Sequence, residues 1–218
     1  MNLSDNLKKV RENLPANVNI LAVSKGQPPE KIRELAKVGQ VDFGESRLQE
    51  ALNKQDALSD MKNLRWHFIG HLQRNKVRAV VKSFSVIHSV ESLNLAERIS
   101  RIALEEDKSV QAMIQVKLRK DPTKGGIDPF ALVDFLPELI KLPNINFTGL
   151  MTMAPIALSF KERSLLFREC RNLADKFDLP DCSMGMSGDW ESAVNAGATW
   201  LRLGSVIFEC KDQKDNNK

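Results

Sequence analysis

Short apolar runs rich in β-formers recur along the chain at 19–25 (NILAVSK), 41–46 (VDFGES), 65–70 (RWHFIG), 85–90 (SVIHSV), 110–116 (VQAMIQV), 146–151 (NFTGLM), 182–187 (CSMGMS) and 199–208 (TWLRLGSVIF). Stretches of helical period separate them, among them PEKIRELAKVG, SRLQEALNKQDALSD, VESLNLAERISRIALEED and ALSFKERSLLFRECRNLADKF. Several runs are followed by Ser, Asp or Pro-Glu, residues that open helices. Strands that alternate with helices pair in parallel, and runs apolar on both faces are buried on both sides. Two architectures satisfy this pattern, an open doubly wound sheet and a closed (β/α)8 barrel of TIM type. An open dinucleotide-binding sheet requires G-x-G-x-x-G after its first strand, and SKGQPP does not supply it. The count of eight predicts the α/β barrel, as a single domain over 1–210. At the start, MNLSDNLKKVRENL predicts an amphipathic helix with Leu3, Leu7, Val10 and Leu14 on one stripe. A polar tail is expected over 211–218.

Composition narrows the class. Of 218 residues, 42% are apolar and 28% charged, enough for a core and too apolar for disorder. The net charge of +4 is scattered, without a basic stripe interleaved with aromatics, and so argues for a solubility surplus rather than nucleic-acid binding. The three cysteines, Cys170, Cys182 and Cys210, form no C-x-x-C, and no apolar leader precedes the first helix. Both features predict a reducing cytoplasm. No stretch approaches the ~18 apolar residues of a membrane span.

In such barrels chemistry gathers at the C-terminal ends of strands, and phosphate binds at the loops after strands seven and eight. Lys25 ends the first strand, and closure makes strand eight its neighbour at about 4.8 Å. Strand eight carries Arg202 and then Gly204-Ser205; strand seven ends in Ser187-Gly188. These turns can aim N–H groups and hydroxyls at a phosphate, with a lysine amine across from them and an arginine between. The combination suits pyridoxal 5'-phosphate (PLP), whose aldehyde needs an unprotonated amine. A lysine among barrel side chains is desolvated, which frees its lone pair. Arg202, always protonated, would donate to the ring nitrogen and leave the ring uncharged. Each residue also has a plain structural reading: Lys25 salt-bridged, Ser187-Gly188 a helix cap, Arg202 paired with Glu45.

Six segments in register, AVSKG, FGESRLQEA, WHFIGHLQRNK, GLMTM, MGMSGDWESAV and GATWLRLGSVIF, resemble the pyridoxal phosphate homeostasis proteins, barrels similar to the N-terminal domain of alanine racemase. The resemblance implies Lys25 as the Schiff-base lysine and Arg202 as the ring-nitrogen partner. It implies Ser187, Gly188, Gly204 and Ser205 as phosphate ligands. It implies a cytoplasmic monomer that binds PLP and affects vitamin B6 and amino-acid balance, with PLP-dependent apoenzymes as candidate partners. The chain departs from the family at Gly26, where threonine is usual, at Ser46, where asparagine is common, and at Glu209, where the family has glycine. Lys124 before Gly125-Gly126 keeps the family's lysine-glycine loop, with Lys117 where many members carry asparagine.

Other side chains offer less. His67 and His71 are four apart but straddle Gly70, so a shared metal is not expected; His88 is expected inside the barrel. QRNKVR at 73–78 reads as a solvated helix start, and Met113, Met151, Met153, Met184 and Met186 as core filler.

Three functions remain. A two-base racemase needs a second acid/base opposite the lysine, which in alanine racemase is a tyrosine from a partner's second domain. This chain has no tyrosine, and no second domain is expected after residue 210. The first expectation is therefore a non-catalytic carrier holding PLP as an exchangeable Schiff base on Lys25, with no catalytic residue. The second is a weak PLP-dependent racemase with Lys25 as sole base. The third is a barrel acting on a phosphorylated sugar.

Overall fold

The apolar runs form short strands because their outward residues are covered by helices and their inward ones fill a closed interior. The computed structural model describes residues 2–121 and 123–209, so Cys210 and the expected tail at 211–218 lie outside the described residues. Eight strands, β1 (Asn19–Val23), β2 (Asp42–Glu45), β3 (Arg65–Phe68), β4 (Val86–Val90), β5 (Val110–Gln115), β6 (Ile145–Met151), β7 (Asp181–Met186) and β8 (Trp200–Leu203), pair in sequence order, all parallel. The last closes on the first, with Leu21 opposite Arg202 and Ala22 opposite Leu203. This is the (β/α)8 barrel that the alternation predicts.

The helices are α1 (Leu3–Glu12), α2 (Pro29–Lys37), α3 (Leu48–Ala57), α4 (Val77–Ser83), α5 (Leu93–Glu105), α6 (Pro129–Leu139), α7 (Phe160–Lys176), α8 (Trp190–Asn195) and α9 (Ser205–Phe208). Their apolar stripes press on the outer face of the sheet. Ile32 and Leu35 of α2, Val80 and Val81 of α4, Ile99 of α5 and Leu166 and Phe167 of α7 are all buried. Full burial of each such side chain stabilises by about 1.5–3 kcal/mol. Helix α7 starts on a capping box, with Ser159 and Glu162 each accepting from the other's backbone N–H. Leu3, Leu7 and Val10 of α1 are buried as the stripe predicts, and Asn6 donates to the carbonyls of Ile207 (3.1 Å) and Glu209 (3.2 Å), tying the first helix to the last.

One run is corrected. The stretch 199–208 is not one strand: β8 stops at Leu203, and Ser205–Phe208 is helical. Gly204, at φ −110 and ψ −88, leaves the extended region, and its carbonyl accepts from the N–H groups of Ile207 and Phe208, starting a helix.

The interior is unusually polar for such a barrel. Leu21 and Trp200 share it with His67, His88, Ser183 and Arg202, all four of them buried. Met113, Met151 and Met184 are core residues as expected, whereas Met186 is 38% exposed.

Candidate functional site

At the C-terminal rim, the end of β7 reaches across to the turn after β8. Between Ser183 and Met186 the strand carries one residue more than its partner between Trp200 and Arg202. Gly185, at φ +87 and with no room for a Cβ beside Ala193, absorbs that extra residue. The bulge delivers Ser187, whose Oγ accepts from the N–H groups of Gly204 (3.1 Å) and Val206 (3.3 Å). Two backbone donors thus converge on one oxygen position. Gly188, at the same rim, faces open space, and Ser205 is exposed.

A Cβ at Gly204 would lie 3.6 Å from the carbonyl oxygen of Val23, two residues before Lys25. Leu21 lies inside the barrel, against the space a Cβ at Gly44 would take; β1 ends at Val23, and Lys25 stands in the turn that follows it. The structure therefore brings the ends of β1, β7 and β8 together at one rim, where Ser187 bonds to the turn at Gly204 and Val23 lies beside Gly204. Lys25 follows in the turn after β1, Gly188 in the turn after β7, and Ser205 at the start of α9 after β8.

Lys25 itself is exposed, not desolvated among barrel side chains as the sequence reading expects. The reason lies in the backbone. The N–H of Ser24 makes a ladder bond to Gly44 (3.1 Å), but its carbonyl accepts from Lys54 Nζ (2.7 Å) and from the N–H of Gln27 (2.9 Å) instead of continuing the sheet. Gly26 then turns at φ +74, a conformation a threonine adopts only under strain. The glycine that departs from the family pattern thus has a local cause.

Both flanks of Lys25 are held from behind. Glu45, fully buried, accepts from Ser24 Oγ (2.7 Å) and Lys54 Nζ (2.7 Å) through Oε1, and its Oε2 has no partner among the described residues. Glu50 accepts from Lys54 (2.6 Å) and from the N–H of Gly26 (2.5 Å). Burial pushes the Glu45 carboxyl above its ordinary value, against the opposing pull of Lys54 and Ser24. Nothing in the apolar pattern marks this cluster; the one legible signal is the Glu50–Lys54 spacing of four on α3.

Arg202 is buried and does not pair with Glu45. Its Nη1 donates to the Ser183 carbonyl (2.7 Å) and hydroxyl (2.8 Å), and its Nη2 to the Thr152 carbonyl (2.8 Å). Its Nε–H and one Nη2–H are left without an acceptor among the described residues. No carboxylate lies at ion-pair distance among the described residues, and burial lowers its pKa to about 10. Ser183 and Thr152 escaped the sequence reading because one acts through its backbone as much as its side chain, and the other through its backbone alone.

His67 and His71 do not meet: His67 is buried in the barrel, while His71, exposed, pairs with Glu91 at 2.8 Å. His88 is interior, as expected.

The family profile described as "Alanine racemase, N-terminal domain" matches residues 1–212. The pyridoxal phosphate homeostasis protein of Synechocystis sp. is 44% identical over 201 residues, 89% of this chain and 92% of that one. That of Aquifex aeolicus is 39% identical, over 87% of this chain and 85% of its own. Among solved structures, PipY of Synechococcus elongatus with PLP bound superposes at a TM-score of 0.92 with 43% identity, covering 95% of this chain and 100% of that one. An alanine racemase of Clostridium difficile, 18% identical at TM-score 0.78, shares the fold over 100% of this chain and 59% of its own.

Proposed function

Because this chain belongs to the pyridoxal phosphate homeostasis protein family, on the fold of the alanine racemase N-terminal domain, we propose that it binds PLP at the rim described above, as an exchangeable Schiff base on Lys25, and serves PLP homeostasis without catalysing a reaction. The observation that carries this reading is the convergence of the Gly204 and Val206 N–H groups on one oxygen position beside the Lys25 strand. The donor set fits the cofactor: backbone N–H groups, Ser187 and Ser205 hydroxyls for a phosphate, an exposed amine for an aldehyde, and a spare Arg202 N–H for a ring nitrogen. Bound to a lysine, PLP supplies an electron sink for carbanions next to an amine.

The chain's own residues give that sink little to work with. Arg202 holds its proton near neutral pH and so donates a hydrogen bond rather than a proton. The chain has no tyrosine, Cys170 and Cys182 are buried, His67 and His88 are enclosed within the barrel, and the exposed His71 is paired with Glu91. Lys25 is exposed, which supports exchange with water, free amines and PLP-dependent apoenzymes over enclosed catalysis. Among the described residues no helix is long and apolar enough to cross a membrane.

The test is absorbance. Protein given PLP should develop the violet-edge band of a lysine Schiff base, fixed by borohydride, and Lys25→Ala should lack it; a band that persists in Lys25→Ala refutes the site. Conversion of L- to D-amino acid at about 1 per second or faster would refute the non-catalytic reading in favour of a racemase.

A further inference from the structure

Beneath the rim, a continuous line of hydrogen bonds crosses the barrel interior. Asp42 Oδ1 lies 2.9 Å from His67 Nε2, His67 Nδ1 lies 2.9 Å from His88 Nε2, and His88 Nδ1 lies 2.9 Å from Ser183 Oγ. Ser183 Oγ then meets Arg202 Nη1 at 2.8 Å. The five residues come from β2, β3, β4, β7 and β8, and all are buried. Asp42 opens β2 at the far mouth of the barrel, where it lines a hollow of about 290 Å³ with Arg11 and Gln40. The half-exposed Arg65 donates to it at 2.7 Å.

The chemistry of the ends fixes every proton between them. Burial pushes the Asp42 carboxyl up, but bonds from His67 and Arg65 outweigh this and hold it below its ordinary value, so it is an ionised, accept-only group. His67 must then donate from Nε2. Burial keeps both imidazoles neutral, so His67 Nδ1 can only accept, and His88 must donate to it from Nε2. His88 Nδ1 accepts in turn, which commits the single Ser183 hydroxyl proton to it. Ser183 Oγ is left as a pure acceptor facing Arg202. Trp200 packs on both imidazoles (ring centroids 5.0 and 6.3 Å away), and Arg65 lies over the same indole.

We propose that Asp42, His67, His88 and Ser183 are positioning residues: a one-way hydrogen-bond relay that brings the Asp42 charge to Arg202 and fixes the plane in which Arg202 presents its remaining N–H groups to a cofactor ring. Each donor in such a chain polarises the next, so the links strengthen one another. The buried guanidinium, already favoured as a cation by the Asp189 charge, thereby gains a second and more remote counter-charge, and its orientation is set before any ligand arrives. The functional half of this inference rests on the reading of the rim as a PLP site.

The experiment is nitrogen NMR on protein labelled with ¹⁵N-histidine, free and loaded with ¹⁵N-PLP. In the free protein near neutral pH, His67 and His88 should both be neutral with the proton on Nε2. A proton on Nδ1 of either, or an imidazolium, overturns the relay. Asp42→Asn should shift the ring nitrogens of His88, which Asp42 does not touch; an unmoved His88 overturns transmission. Arg65→Gln, at a half-exposed position, gives the same reading should Asp42→Asn not fold. In loaded protein, Ser183→Ala and Asp42→Asn should both shift the PLP ring-nitrogen resonance, and a resonance that ignores either one overturns the link to the cofactor. If wild-type protein takes up no PLP, the rim reading fails, while the tautomers and the Asp42→Asn response still judge the relay.

Discussion

Replacing Lys54 by methionine tests whether the cluster behind Lys25 holds the turn. The lysine side chain is 6% exposed and its partner Glu45 is 0% exposed. Three acceptors depend on its ammonium: the Ser24 carbonyl, Glu45 Oε1 and Glu50 Oε1. Removing one partner of a buried pair costs about 3–5 kcal/mol, because the remaining charge stays desolvated. The Ser24 carbonyl keeps its bond from Gln27, so it adds at most ~1 kcal/mol. Methionine keeps most of the apolar stem, so no large cavity opens. The expected loss for Lys54→Met is on the order of 4 kcal/mol, a large part of the 5–15 kcal/mol of a typical domain.

Urea unfolding measures this as a lower midpoint at unchanged slope. The double variant Glu45→Gln/Lys54→Met should recover at least half of the loss, since no charge then remains buried. The pH dependence has a definite sign. Glu45 already has a pKa raised by burial, and losing Lys54 removes a pull that opposes the rise. The folded variant therefore holds a proton that the unfolded chain releases above about pH 4.5. Its deficit against the parent should be smallest near pH 4 and widen as pH rises. A loss under ~1 kcal/mol, or a double variant no better than the single, would refute the reasoning.

Two further outcomes are expected. Burial lowers the pKa of both His67 and His88, so the unfolded chain binds protons that the fold excludes, and stability should fall below about pH 6.5 by up to ~1.4 kcal/mol per pH unit for each imidazole, read from urea midpoints across pH; a flat profile between pH 6.5 and 5 would count against neutral buried rings. A Cβ at Gly70 would overlap the Ser46 carbonyl oxygen, so Gly70→Ala should cost about 1–3 kcal/mol by the same assay, and a neutral outcome would mean that the turn after β2 moves freely.

The barrel was legible because its signal is periodic and repeated eight times: each run need only be apolar and bounded, and errors of a residue or two at the ends leave the order of strands intact. The reading failed at 199–208, where GSVIF is as apolar as a strand and only the backbone of Gly204 distinguishes turn and helix. The meeting of the β1 and β8 ends was legible through topology, since closure pairs Ala22 with Leu203 and brings Val23 beside Gly204. The exposure of Lys25 was not, because it depends on where the Ser24 carbonyl finds its partner, and that partner, Lys54, lies thirty residues on. Nor was the line from Asp42 to Arg202, whose members stand on five strands with no shared spacing.

The exposure of Lys25 and the rigidity of its flanks together make a kinetic prediction. A lysine held by a closing lid would release its aldehyde only as fast as the lid opens, whatever attacks from solution. Here the residues before and after Lys25 are fixed by Ser24–Glu45 and Gly26–Glu50 bonds, while the amine itself faces solvent. A Schiff base at this position should be open to direct attack, with no opening step in the way. Protein loaded with PLP and mixed with hydroxylamine should lose its violet-edge band at a rate proportional to hydroxylamine concentration, without a plateau. A rate that saturates would reveal a gate, and with it an enclosed site better suited to catalysis than to exchange. Proportional loss, by contrast, is the behaviour that lets a barrel hand a reactive aldehyde to another amine without first changing shape.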